Sequence, residues 1–174
     1  EGVVFHDGSP FNAECVKYTF ERILNPENAL VAFGRFNPII DTVEVLDDYT
    51  VKFTLKAPYP AFALLLTINQ AAIMTPTADE IVANRPVGTG PFTFVEYVSG
   101  DRVVMERFDD FWGPAPQVDR LVWRWSPEES VMVMALQAGE IDVAVPLPPT
   151  HADVLAASPG VKVFEAPGSA VFWL

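Results

Sequence analysis

The sequence predicts a mixed α/β protein, and three patterns carry the prediction. A turn-and-helix signature near the N-terminus is followed by an alternating hairpin. The stretch "RPVGTGPFTFVEYVSGDRVVMERFDDFWG" (residues 85–113) reads as a second hairpin. After residue 119 the pattern becomes strand, helix, strand, which favours a parallel arrangement with right-handed crossovers.

The elements follow in order. In "HDGSPFNAECVKYTFERIL" Asp7-Gly8 supplies a turn and Asn12 an N-cap. Val16, Phe20, Ile23 and Leu24 then share one helical face, and Asn25-Pro26 ends the helix. In "DTVEVLDDYTVKFTL" Val43 and Val45, then Val51, Phe53 and Leu55, alternate with polar residues about an Asp47-Asp48 turn. "YPAFALLLTI" predicts a short helix with Pro60 in its first turn, and "TADE" (Thr77 to Glu80) a capping box. Phe92, Phe94 and Glu96 share one strand face, Thr93, Val95 and Tyr97 the other, with Ser99-Gly100-Asp101 as the turn. "RLVWRW" is a strand. "SPEESVMVMALQAG" is a helix with Ser126 at the N-cap, Pro127 at N1, Glu129 completing a capping box and Gly139 at the exit. "EIDVAV", "VKVFEA" and "AVFWL" are strands, and "THADVLAA" a short helix whose start Thr150 and Asp153 bracket.

The 174 residues suit one domain, and half are hydrophobic. The longest apolar run, Ala61 to Leu66, falls far short of the roughly 18 residues that span a bilayer. Eleven basic against 23 acidic residues give a net charge of −12, which repels phosphate backbones and argues against nucleic-acid binding. One cysteine, Cys15, excludes an internal disulfide. Both ends read as interior sequence, "EGVVFHDG" and "SAVFWL", so the expectation is a piece of a larger protein.

Gly88-Thr89-Gly90 resembles part of a phosphate loop, but Pro91 and a strand follow instead of a helix, and no lysine is present. The glycines are read as permitting a sharp, closely packed backbone passage. His6 and His151 lack metal-ligand companions at suitable spacing, so no metal site and no cofactor is expected. Cys15 has no His or Asn partner in a nucleophile motif, and Gly168-Ser169 lacks the elbow pattern, so no catalytic residue is assigned. The adjacent acids Asp47-Asp48, Asp109-Asp110 and Glu128-Glu129 fit turns and helix starts. Aromatics are abundant, and Trp123 and Trp125, placed on a sheet strand, are read as core. In open α/β sheets ligands bind beyond the carboxyl ends of the strands, which selects Pro146 and Leu147 in "PLPPT".

Taken together, "FHDGSPFNAECVKYTFERIL", "VGTGPFTFVEYVSGDRVVMERFDDFWGPAPQVDRLVWRW" and "MALQAGEIDVA" resemble the extracellular solute-binding proteins of family 5, the peptide-, dipeptide- and nickel-binding components of ABC importers. The resemblance runs along nearly the whole chain. It implies a type II periplasmic-binding-protein-like lobe with an α+β accessory subdomain, truncated before a second lobe. Residues 1–87 would form the accessory subdomain with part of lobe I. Residues 88–174 would form the main lobe, ending near the interlobe crossover. Gly88 to Pro91 would be the passage between them. The family often carries an acid where Cys15 stands, which removes a side chain able to support the helix start.

By the same resemblance Phe33, Asn69 and Gln70 belong to a cleft wall, and Phe172 and Trp173 to the entry of the crossover. The implied function is non-covalent binding of a peptide or similar small solute, periplasmic or at the cell surface, for delivery to a permease and ATPase complex. Membrane association would come only through the transporter or an N-terminal anchor outside these residues. Two alternatives are carried: a hydrolase using a carboxylate pair, and a sensory or interaction domain on the same fold, with "AVFWL" open to pairing with another chain's sheet edge.

Overall fold

The computed structural model describes residues 1–76, 85–145 and 149–164. They divide into two compact units, Glu1–Trp123 and Arg124–Leu174. The capping box at Thr77 to Glu80 lies outside the described residues. Among those that are described, no helix is long and apolar enough to cross a membrane.

The first unit begins with helix α1, Ala13–Leu24. Asn12 caps it in extended conformation, its Oδ1 accepting the Cys15 N–H at 3.3 Å. The Cys15 thiol reaches back to the same Oδ1 at 3.4 Å and to the Pro10 carbonyl at 3.5 Å. The buried thiol therefore takes part in the cap. The helix stops at Asn25, whose side chain opens a single 3-10 turn, Pro26–Asn28. A one-turn helix α2, Phe33–Phe36, leads into strands β1, Ile40–Asp47, and β2, Thr50–Leu55. These pair antiparallel with Val43 opposite Phe53 and Val45 opposite Val51, the predicted hairpin.

Packing follows from that register. Phe20, Ile23, Phe36, Ile40 and Val43 form a buried cluster with Ala32 and Ala71. Phe20 sets its ring edge-on to Phe36 and to Phe53, at 5.4 and 5.0 Å between centroids. Helix α3 is only one turn, Phe62–Leu65, with Pro60 ahead of it. A 3-10 turn, Asn69–Ala71, follows. Thr19 fixes the chain beyond it: its hydroxyl donates to the Cys15 carbonyl at 2.8 Å and accepts the Met74 N–H at 2.9 Å.

A carboxylate stands at the hairpin turn. Asp47 accepts the Tyr49 N–H at 2.9 Å. That bond, followed by one from the Thr50 side chain, holds the Asp47 carboxyl below its ordinary range. A carboxyl whose folded pKa is depressed stabilises the fold fully above its unfolded pKa and loses that contribution as pH falls through the folded value. The thermal midpoint of Asp47→Ala is therefore expected below wild type at neutral pH. The gap should close as pH drops beneath the ordinary carboxylate range, and a gap independent of pH would refute the assignment.

The second hairpin joins β3, Phe92–Val98, to β4, Arg102–Arg107, through Gly100 at φ +75°. A bulge between Phe94 and Glu96 makes Val95 the extra residue, and Val95 and Tyr97 are exposed while Phe92, Phe94 and Glu96 are half-buried. Glu96 is occupied by Arg102, Oε1 to Nη2 at 2.8 Å. Strand β5, Arg120–Arg124, lies beside β4 to give the order β3-β4-β5.

The second unit holds helix α4, Glu129–Ala138, and helix α5, Ala152–Ala156. Helix α4 starts three residues beyond the expected Ser126 cap. The Ser126 hydroxyl accepts the Glu128 N–H at 3.2 Å, a local turn that competes with capping. Gly139 ends α4 at φ +72°, and the Glu140 N–H reaches the Ala135 carbonyl at 2.9 Å, the predicted glycine exit. Thr150 falls inside a 3-10 turn, Pro149–His151, and no side chain caps α5.

Two expected strands are not found. Residues 140–145, "EIDVAV", and 161–164, the described part of "VKVFEA", carry no strand, and Val143, Val145 and Phe164 are strongly exposed. Alternation states which side chains should be buried, but a strand also needs a neighbour to bond with, and among the described residues these segments have none. "AVFWL" lies outside the described residues.

Candidate ligand-binding site

Three of the seven predicted site residues fall in the described part of the first unit. Phe33 opens α2 and is half-buried, its carbonyl accepting the Asn37 N–H at 2.9 Å. Asn69 is exposed and Gln70 half-buried on the 3-10 turn that ends in buried Ala71. One hydrophobic cluster anchors both elements: Phe36 at the end of α2 and Ala71 at the end of the 3-10 turn are both members. The fold thus presents Phe33 and the Asn69-Gln70 pair from the same core. Pro146, Leu147, Phe172 and Trp173 lie outside the described residues. A shallow groove elsewhere runs along Asp41–Leu46 beside Glu14, Lys17 and Glu21, and its lining includes none of the predicted wall residues.

Among the described residues the acidic side chains of the adjacent pairs do not converge in one pocket. All three adjacent acid pairs are exposed. Asp109 is bonded to Arg107 at 3.0 Å, and Asp119 also pairs with Arg107. A catalytic carboxyl pair needs two acids in one pocket with separated pKa values, and these pairs supply no support for the hydrolase alternative. Among the described residues no three of His, Cys, Asp and Glu form a group that could hold a metal ion.

The passage at Gly88 to Pro91 is held carbonyl by carbonyl. The Gly88 oxygen accepts the His6 N–H at 2.9 Å, and the Pro91 oxygen accepts the Phe108 N–H at 2.9 Å. Between them the Thr89 oxygen accepts the Trp112 indole N–H at 3.1 Å, and the Gly90 oxygen accepts His6 Nε2–H at 2.9 Å. Gly88 N–H donates to His6 Nδ1 at 3.2 Å, which fixes the proton of the neutral ring on Nε2. The His6 ring stands edge-on to Phe108 at 5.0 Å. Hydrogen bonds hold this passage, and the expected need for glycine is not found: neither Gly88 nor Gly90 has a positive φ, and an added Cβ would meet only His6 Cε1 at 3.7 Å at Gly88 and nothing within 4 Å at Gly90.

Sequence reasoning missed the role of His6. Its partners lie more than 80 positions away, and one sequence carries no signal for that pairing. Trp112, which no motif singled out, uses its indole to fix the passage. The reading of Trp123 and Trp125 as core is overturned: they are 55% and 47% exposed. Trp123 sits on β5, the last strand in the sheet order, where Val122 on the opposite face is exposed as well, so strand position alone does not bury them.

The model of the bacterial extracellular solute-binding proteins, family 5 Middle, matches residues 1–174. Glutathione-binding protein GsiB of Pectobacterium atrosepticum is 37% identical over 171 residues, covering 95% of this chain and 33% of that protein. Among solved structures, the PBP AgaA of A. tumefaciens R10 in complex with agropinic acid superimposes with a TM-score of 0.83 at 29% identity, covering 91% of this chain and 33% of that one. The ABC transporter-associated periplasmic binding protein DppA of Helicobacter pylori, in complex with peptide STSA, gives 0.81 at 29% identity, covering 91% and 36%. The chain thus spans about a third of the length of the proteins it matches. Its fold is the mixed α/β fold of part of a type II periplasmic binding protein. The chain belongs to the bacterial extracellular solute-binding proteins of family 5.

Proposed function

We propose that residues 1–174 are part of the substrate-binding component of an ABC importer, which holds a peptide or peptide-like solute without covalent chemistry and delivers it to a membrane permease and its ATPase. The observation that carries this reading is the family match over the entire chain. Relatives named for glutathione and for a bound peptide favour a peptide-like ligand. The same relatives favour a periplasmic or cell-surface location. A net charge of −12 argues against a nucleic-acid partner.

In this reading residues 1–87 form the accessory subdomain with part of lobe I, and the main lobe continues from residue 88. Phe33, Asn69 and Gln70 contribute to the cleft wall, together with Pro146, Leu147, Phe172 and Trp173. Ligand acts by binding the closed cleft better than the open one, since only differential affinity shifts such an equilibrium. Aromatic area supplies contact, and amide groups such as Asn69 and Gln70 supply hydrogen bonds that fix orientation.

Native mass spectrometry of the full-length protein, purified without added ligand, tests the reading. The expected result is a retained peptide-sized adduct, or a shift on adding glutathione or short peptides. A bare protein that shifts with none of these would overturn it.

A further inference from the structure

The first unit has two folded parts. One is the body of α1, α2, α3, β1 and β2 around its own cluster of Phe20, Phe36 and Ile40. The other is the β3-β4-β5 sheet, whose Val104 is 1% exposed. Three hydrogen bonds join the segment that leads into the body to the one that leads into the sheet, all at one residue: His6 N–H to the Gly88 oxygen, Gly88 N–H to Nδ1, and Nε2–H to the Gly90 oxygen. The His6 ring also packs on Phe108, just past the end of β4. On the body side His6 is held by its neighbours, since the Phe5 N–H bonds to the Ser9 oxygen and Val4 bridges to Pro10.

We propose that His6 is a latch that fastens this body to the sheet, and that the His6–Gly88 junction opens as a pivot when the latch is removed while both sides stay folded. A single imidazole suits the task because it donates and accepts at once, on two backbone groups of one tight passage. The body has its own buried cluster and the sheet its own strand pairing, so each side also has contacts that do not pass through His6. Chain motions about such narrow junctions are absorbed by a few residues at the ends of elements. Phe33, Asn69 and Gln70 ride on the body side, but the latch holds whether or not they meet ligand.

Hydrogen exchange followed by mass spectrometry on the full chain decides the matter, using two substitutions. His6→Phe keeps a ring against Phe108 and removes both nitrogens. His6→Gln keeps one donor and one acceptor. In His6→Phe the amides of residues 6, 88 and 108 should exchange about tenfold faster, the scale of one lost hydrogen bond, while those of Phe20, Ile23 and Val104 keep the wild-type rate. His6→Gln should restore most of the protection. Unchanged exchange at residues 6 and 88 in His6→Phe overturns the latch. So does acceleration spread equally over α1 and β4, and so does a His6→Gln variant as fast as His6→Phe.

Discussion

Replacing Phe20 with alanine is expected to destabilise the chain by about 3–5 kcal/mol, the range for removing a buried phenyl ring from a core that collapses only partly. Phe20 is 1% exposed and sits where three elements meet. Its ring is edge-on to Phe36 of α2 and to Phe53 of β2, and Phe53 continues the chain of contacts to Phe62 of α3 at 5.2 Å. Removing it leaves a void at the centre of the cluster and cancels two aromatic contacts. For a chain of 174 residues each kcal/mol moves the thermal midpoint by roughly 2–4 °C, so a fall of about 6–20 °C is expected by circular dichroism. Val31→Ala, at a position 84% exposed, is the control and should change stability by less than about 0.5 kcal/mol. A loss below about 1 kcal/mol for Phe20→Ala would mean that this cluster is not what holds the unit together.

The parts of the fold legible in the sequence were those in which local chemistry and burial agree. Asn12 is a cap because its amide meets the Cys15 N–H, and the apolar stripe of α1 faces the hairpin that buries it. The turn falls at Asp48-Tyr49, one position beyond the expected Asp47-Asp48, and the register still sets Val43 and Val45 opposite Phe53 and Val51, as their alternation required. Gly139 reads correctly because a left-handed exit is a local demand that glycine meets. Ser126 failed because a hydroxyl can bond its own turn as readily as a helix N-terminus. Residues 140–145 failed because the alternation of Val143 and Val145 needs a neighbouring strand to become a sheet.

The candidate site was less legible for a related reason. Wall residues are chosen by what faces them, and the proposed ones, Phe33, Asn69 and Gln70, carry no motif of their own. Their shared anchoring, through Phe36 and Ala71 in one cluster, is a product of tertiary packing that no window of sequence displays. The passage at Gly88 to Pro91 shows both sides of this. That a strand and not a helix follows Gly-Thr-Gly-Pro was evident from the sequence, yet the groups that hold the passage, His6 and Trp112, lie on either side of it in the sequence and have other common uses.

Residues 1–174 alone are expected to bind a peptide-like ligand at least about a hundredfold more weakly than the full-length protein, a difference of about 2.7 kcal/mol. In the proposed closure the ligand is held between two walls. The matched relatives are about three times as long as this chain, so two-thirds of their length has no counterpart in it. A ligand held between two walls gains its affinity from contacts made together, and one wall offers only part of them while still imposing the cost of immobilising the ligand. Calorimetric titration of both proteins with glutathione and a short peptide gives the ratio. In the full-length protein the double substitution Asn69→Ala, Gln70→Ala should weaken binding by about tenfold, on the order of one lost hydrogen bond in the desolvated cleft, and leave the thermal midpoint nearly unchanged because neither side chain belongs to the buried cluster. Equal affinity in the two proteins would place the whole site within residues 1–174 and remove the need for closure. Undiminished affinity in the double variant would move the wall away from the Asn69–Ala71 turn while leaving the importer reading intact.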